Sequence, residues 1–252
     1  MHQAIIDMHA HIWGHKATED ARTLLAMLHR YDLAWLGVIP LWGGVYPTRE
    51  EIREGNATVA KFCQQEPQRL KPYVTVNPRH RQSTLEEIRR GVEEDEAIAV
   101  KVWVAARADE PDVFAVAEAC IEYGLPLLLH AFHKAVGQLS HETDAPHVAL
   151  LAKRYPELKI IMAHLAGAHL WGCAHVADCP NVWSDFSGSY CETGTIETAI
   201  KLLGEDRVLF GSDAPGADFL NNLGKVEEAE ITEPQRRKIL YENSQSLFLN
   251  QG

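Results

Sequence analysis

The sequence predicts an α/β fold: a single-domain (β/α)8 TIM barrel spanning residues 1–252. Three observations point there. Apolar runs of strand length alternate with helix-like stretches along the whole chain. Several of those runs are apolar at every position, as parallel strands covered on both faces are. A length of 252 residues suits one barrel without large insertions.

The first strand runs from Ile5 to Trp13. On a regular strand its Asp7, His9 and His11 share one face, which makes the first half of a metal site. A helix follows from Glu19 to Tyr31, with Leu24, Leu25, Leu28 and Tyr31 near helical spacing. Leu33 to Pro40 is the second strand, and Gly43, Gly44 and Pro47 mark a loop. Thr48 to Glu51 has the capping-box pattern and opens a helix to about Gln65. Leu70 to Val76 is the third strand. A second capping box, Ser83 to Glu86, opens a helix to about Glu94. Ala97 to Trp103 is the fourth strand, followed by a helix from Pro111 to Tyr123 with Gly124 as its C-cap.

Leu125 to His130 is the fifth strand, Pro146 to Tyr155 a helix, and Leu158 to His164 the sixth strand. Ala168 to Ala177 reads as a helix, Val182 to Asp185 as strand seven, Glu192 to Leu203 as a helix, and Val208 to Gly211 as strand eight. Thr232 to Gln235 caps a final helix with Pro234 in its first turn, and Ile239, Leu240, Leu247 and Phe248 form its buried face. An open, doubly wound sheet is the alternative. It does not gather the ends of strands 1, 5, 6 and 8 around one point, as a barrel does.

Bulk composition narrows the function classes. Net charge is −11, and no basic run exceeds Arg236-Arg237-Lys238. This argues against nucleic acid or an anionic membrane surface as partner and leaves a small-molecule substrate. The cysteines are Cys63, Cys120, Cys173, Cys179 and Cys191, odd in number and without Cys-x-x-Cys spacing. They read as reduced thiols of a cytoplasmic protein. The N-terminus reads as strand rather than signal peptide, and no apolar run nears the roughly 20 residues that cross a bilayer.

The chemistry-bearing residues end strands. His9-Ala10-His11 lies on strand 1, Lys101 on strand 4, His130 ends strand 5, His164 ends strand 6, and Asp213 follows strand 8. Ala152 to Ile160, Asn181 to Asp185 and Phe210 to Pro215 surround the later ones. This pattern resembles the amidohydrolase superfamily. It is similar to the amidohydrolase-related branch (amidohydrolase family 2), which includes aminocarboxymuconate-semialdehyde decarboxylase, aromatic-acid decarboxylases and lactone hydrolases. The resemblance covers Ile6 to Leu249. TatD-like nucleases share the strand-1 histidine pair but have glutamate on strand 4, where this chain has Lys101.

The resemblance implies a divalent metal held by His9, His11, His130 and Asp213. Zinc is the first expectation, with manganese or another transition metal as the alternative. Asp213 is expected to be both ligand and proton acceptor, with His164 as the second catalytic group. In one branch of the superfamily the strand-4 lysine is carbamylated and bridges two metals; in the branch resembled here, one metal is the commoner arrangement. Unmodified, Lys101 is a costly buried cation that can hold a substrate carboxylate. His133 and Trp13 are further candidates for substrate contact. Trp42 and Trp103 are candidates to wall the pocket, and Arg79 and His80 to meet an acidic substrate. Short loops leave the pocket open or covered by the partner of a homo-oligomer.

Two functions share these ligands. The first expectation is a metal-dependent hydrolase of a small acidic or cyclic substrate, a lactone or amide, attacked by metal-bound water. The second is a metal-dependent non-oxidative decarboxylase of a small carboxylic acid. A metal-binding scaffold without catalysis is disfavoured, because Asp213 and His164 exceed what holding a metal needs.

Overall fold

The computed structural model describes residues 4–249. Its strands are β1 (Ile6–Trp13), β2 (Trp35–Leu41), β3 (Leu70–Val76), β4 (Ala99–Val102), β5 (Leu127–Leu129), β6 (Ile160–Met162), β7 (Val182–Asp185) and β8 (Val208–Leu209). All adjacent pairs are parallel and follow chain order. The chain after β8 returns to β1: Asp213 N donates to His9 O (2.7 Å) and His11 N to Ala214 O (2.7 Å). The result is a single-domain (β/α)8 barrel. Strands 4, 5, 6 and 8 are shorter than the sequence suggests, and Trp103, His130, His164 and Asp213 lie just past their C-terminal ends.

Helices α1 (Ala17–Arg30), α2 (Arg49–Cys63), α3 (Arg81–Asp95), α4 (Pro111–Tyr123), α5 (Ala145–Arg154), α6 (His169–Val176) and α7 (Thr195–Leu203) occupy the predicted places. The Thr48 and Thr232 capping boxes form. The Ser83 box does not. Asn77 caps a 3₁₀ turn at Pro78–His80, the helix is already under way at Arg81, and Ser83 Oγ donates back to His80 O (3.0 Å). Helix α8 (Phe219–Glu228) was not foreseen, because Asn221, Asn222 and Gly224 dilute its helical signal; Asp218 caps it through Leu220 N (2.8 Å). Then come α9 (Glu233–Arg237), a π-helical segment Lys238–Glu242, and α10 (Asn243–Leu249).

Side-chain alternation along the strands makes two apolar layers. Leu36, Val38, Val100, Leu127 and Leu129 face the helices. Ile6, Met8, Ile39, Tyr73, Leu128, Ile161 and Leu209 fill the barrel. The foreseen faces of the C-terminal helices are buried at Ile239, Leu240, Leu247 and Phe248. Phe248 meets Trp35 edge-on (5.4 Å) and packs on Tyr73 (6.0 Å), plugging the N-terminal end of the barrel. No helix among the described residues is long and apolar enough to cross a membrane.

β1 carries one irregularity that shapes the site. Its register against β2 slips between Asp7 and Ala10, a bulge that puts both Met8 and His9 against the barrel interior. The freed Met8 carbonyl accepts from Tyr73 Oη (2.8 Å). Gly211 makes room opposite: a Cβ there would lie 2.7 Å from His9 Cβ.

Candidate metal centre

The bulge corrects the expectation for Asp7. It does not share the face of His9 and His11. Its Oδ1 accepts from Ser212 N (2.9 Å) and His9 N (3.2 Å), and its Oδ2 from Ser212 Oγ, so it ties β1 to the β8 segment. Burial pushes its pKa up to about 7.

His9 and His11 are buried, and their Nε2 atoms face each other at 3.1 Å. Asp213 Oδ1 lies 2.9 Å from His11 Nε2 and 3.9 Å from His9 Nε2. His9, His11 and Asp213 thus bring three ligand atoms within 4.8 Å of one another, and His9, His164 and Asp185 form a second such group. Burial lowers the pKa of His9, and that of His11 to about 4, so both imidazoles are neutral at pH 7. Burial raises the Asp213 carboxyl, but the bond from His11 and the charges of His11, His164 and His9 outweigh it and hold it well below the usual carboxylate range.

Partners fix the tautomers. His9 Nδ1 faces the carboxylate oxygen Asp185 Oδ2 at 3.0 Å, so Nδ1 donates and Nε2 presents its lone pair. His164 Nδ1 faces the carbonyl of Ser187 at 3.1 Å, which only accepts, so its Nε2 lone pair is free for the pocket. His11 differs. Its Nε2–H donates to Asp213, while its buried Nδ1 has no partner among the described residues. His9, His11 and Asp213 would hold a divalent cation if the His11 proton stood on Nδ1, which would leave the Nε2 lone pair for the ion. Neutral imidazoles and an ionised carboxylate are the donors such a cation takes, so the residues fit a metal.

The turn carrying His164 is left-handed. His164, Leu165 and Ala166 have φ of 61°, 48° and 55°, and Gly167 follows at 69°. Left-handed backbone costs roughly 1–2 kcal/mol per non-glycine residue, and such strain concentrates at functional sites. Here it is held by His164 N on Asp185 Oδ1 (3.2 Å) and by His133 N on Ala166 O (2.7 Å). Gly167 lies under Phe132, whose ring would be 2.6 Å from a Cβ. Asp213 is also left-handed, at φ 62°.

The other candidates fall in different places. His130 packs 5.2 Å from His164, ring to ring, but its Nε2 is engaged by Glu142 Oε1 at 3.2 Å and lies outside the His9–His11–Asp213 group. Lys101 is buried on the inner face of β4; burial lowers its pKa to about 8, against the opposing pull of Asp185 and Asp213. Trp13 stands beside His11 (5.7 Å) and meets Trp103 edge to face at 5.6 Å. Trp42 instead packs on Gly14 and Gly55. His133 turns to the rim, bonded to Asp144 Oδ2 (2.8 Å) and stacked on Trp171 (4.7 Å). Arg79 is spent on Glu110 (2.9 Å) and the Ala105 carbonyl (2.7 Å).

Three residues of the site were not foreseen. Asp185 is fully buried and holds His9 and the His164 backbone; its signal is a lone acid ending an apolar strand. Ser187 Oγ lies within 3.2 Å of His9 Nδ1 and 2.9 Å of His164 Nδ1. Glu142, in a polar loop, leaves no signal in the sequence.

The family model described as Amidohydrolase matches residues 6–249. The chain belongs to the amidohydrolase family. Among the chain's relatives is gamma-resorcylate decarboxylase of Polaromonas sp. (strain JS666), 29% identical over 119 residues. That match takes in 39% of this chain and only 36% of the relative's length. Two solved structures share the fold. The 2,6-dihydroxybenzoate decarboxylase from Rhizobium aligns at 17% identity and a TM-score of 0.79, over 98% of each chain. The dihydroxybenzoic acid decarboxylase of Polaromonas sp. JS666, with bound manganese and the inhibitor 2-nitroresorcinol, aligns at 17% identity and 0.78, over 98% of this chain and 97% of that one. The expectation of a hydrolase is overturned here: these relatives are decarboxylases, the second reading of the sequence. A divalent metal is supported, and the manganese in that neighbour does not single out zinc.

Proposed function

We propose that this protein is a metal-dependent non-oxidative decarboxylase of a small carboxylic acid. The observation that carries the reading is the buried cation Lys101, on the inner face of β4 and so in the same barrel interior as the His9–His11–Asp213 donor set. A substrate carboxylate then meets positive charge from the protein as well as from the metal. The names of the relatives support the same class.

His9, His11 and Asp213 would hold the ion, zinc or manganese, with His130 joining if it leaves Glu142. When bound, a divalent ion acts as a Lewis acid that orients the substrate and stabilises developing negative charge. The C–C bond to the carboxylate breaks, its electron pair stays on the carbon, and carbon dioxide leaves. The carbon then needs a proton. Asp213 is ionised at rest, so it would first take a proton from solvent, which its 25% exposed side chain can reach while Asp185 is sealed, and then pass that proton to the carbon. The lone pair on His164 Nε2 can accept a hydrogen bond from a substrate hydroxyl and so orient the ring. The free cysteines agree with a cytoplasmic setting.

The test is release of carbon dioxide from a panel of hydroxybenzoates and other small acids by the metal-loaded protein. Carbon dioxide formed in step with the decarboxylated product is expected. A folded, metal-loaded protein that releases none from any acid contradicts the reading.

A further inference from the structure

A second lysine is buried behind the metal centre. Lys225 stands on α8 and is 8% exposed. Its ammonium donates to three neutral oxygens: Phe186 O (2.8 Å), Gly188 O (3.2 Å) and Asn222 Oδ1 (2.8 Å). It also lies 6.0 Å from the centre of the Phe186 ring. A cation buried on neutral acceptors is costly. A methionine of similar length would pack α8 on the barrel without that cost.

Two of its acceptors are the backbone that carries the site. β7 ends at Asp185, so Phe186, Ser187 and Gly188 lie beyond the strand ladder. The carbonyls of Phe186 and Gly188 turn to Lys225, and the one between them, Ser187 O, turns to His164 Nδ1 (3.1 Å). Ser187 Oγ lies 3.2 Å from His9 Nδ1 and 2.9 Å from His164 Nδ1. Ser187 thus offers oxygens to the Nδ1 protons of both histidines. A Cβ on Gly188 would lie 3.4 Å from His164 Nδ1 and 3.8 Å from Asp213 Oδ2, so the turn runs against both.

Asn222 carries the same hold to the next strand. It lies three residues before Lys225, on the same face of α8, and is fully buried. Its Nδ2 donates to Ser212 O (2.8 Å) and Asp218 O (3.0 Å), while its Oδ1 accepts from Lys225. Ser212 immediately precedes Asp213. One face of α8 therefore fixes the segments after β7 and after β8 together.

We propose that Lys225, acting with Asn222, is a positioning residue for the metal centre. It locks the Phe186–Gly188 turn, so that Ser187 keeps the Nδ1 protons of His9 and His164 in place and leaves their Nε2 lone pairs to the pocket. Through Asn222 and Ser212 it also holds the backbone at Asp213. This rests on the metal-dependent decarboxylase reading and concerns how that site is kept in order.

The test compares Lys225→Met with two other variants. Lys225→Gln keeps two amide N–H donors and serves if the methionine variant folds poorly. Lys238→Met loses ion pairs to Glu205 and Asp206, which precede β8 at the opposite end of the barrel. Manganese affinity, read by competition with a chelator, falls about tenfold in Lys225→Met, the low end of the span for residues that orient metal-bound histidines. Lys225→Gln loses less, and Lys238→Met stays at the wild-type value. In the metal-free protein, ring ¹⁵N NMR shows His9 and His164 as single Nδ1–H tautomers in wild type and as mixtures in Lys225→Met. Wild-type affinity or unchanged tautomers in a folded Lys225 variant overturns the proposal. So does an equal loss of affinity in Lys238→Met, which would mark the effect as general destabilisation. Carbon dioxide release with an affinity indifferent to Lys225 refutes the proposal alone. Lysine-dependent affinity without carbon dioxide release from any acid refutes the decarboxylase reading alone, and a wild type that binds no manganese overturns both.

Discussion

The two sides of the site are built differently. On the β1, β7 and β8 side, the functional side chains stand on a strand or within a few residues of one, and buried backbone or a buried carboxylate holds His9 and Asp213. Asp185 holds His9 at 3.0 Å, the His9 carbonyl holds the Asp213 backbone at 2.7 Å, and His9, Asp185 and Ser187 are buried. On the β5 side, His130 depends on Glu142, which belongs to the loop before α5. That loop is tied by Lys134 (2.6 Å), Gln138 (3.3 Å) and Leu139 N (3.3 Å), and its Val136 is 86% exposed. One side is preorganised by the barrel; the other is assembled by a loop whose opening costs little buried apolar surface. On the proposed reading, metal capture is the task of the first side and adjustment to substrate that of the second.

Breaking the barrel side has the largest effect. His11→Ala removes the central donor, so metal and activity are lost together, as elemental analysis and assay of the same preparation will show. Asp213→Asn keeps the shape and one oxygen but removes the charge. Turnover falls by about 10²–10⁴-fold, the usual span for a lost acid–base group, while part of the metal remains on the two histidines. Asp185→Asn leaves every donor atom in place and frees His9 to take the wrong tautomer. Metal affinity, read by competition with a chelator, falls by about 10–100-fold, as for other residues that orient metal-bound histidines.

Much of the barrel side was legible in the sequence. Strand ends are where a barrel collects its polar groups, so His9, His11, His164 and Asp213 could be assigned from apolar runs that each finish in a charged or metal-binding residue. Alternation failed at Asp7, because a bulge shifts the phase of β1 by one residue, and a bulge has no residue signature of its own here. The Ser83 box failed because Asn77 and Pro78 start the turn earlier. The loop side was barely legible. Glu142 meets His130 across a twelve-residue separation in sequence, and only the folded loop makes that pairing visible.

The smallest expected effect sharpens the loop side. Burial raises the Glu142 carboxyl, but bonds from His130 and Lys134 outweigh it and bring it down to about 2. A carboxylate whose folded pKa lies below its unfolded value of 4.5 adds stability above pH 4.5 and loses it as pH falls towards 2. Glu142→Gln should therefore lower stability by about 1–3 kcal/mol at pH 7, with the gap to wild type closing below pH 4.5 in denaturant titrations. Its metal content should stay near wild type, in contrast to Asp185→Asn.

The direct measurement is a manganese-loaded crystal structure with the ion located by its anomalous scattering. The account predicts one ion per chain on His9 Nε2, His11 Nε2 and Asp213, with Lys101 unmodified beside it. An ion seated away from β1, or a pair of ions bridged through Lys101, would contradict it.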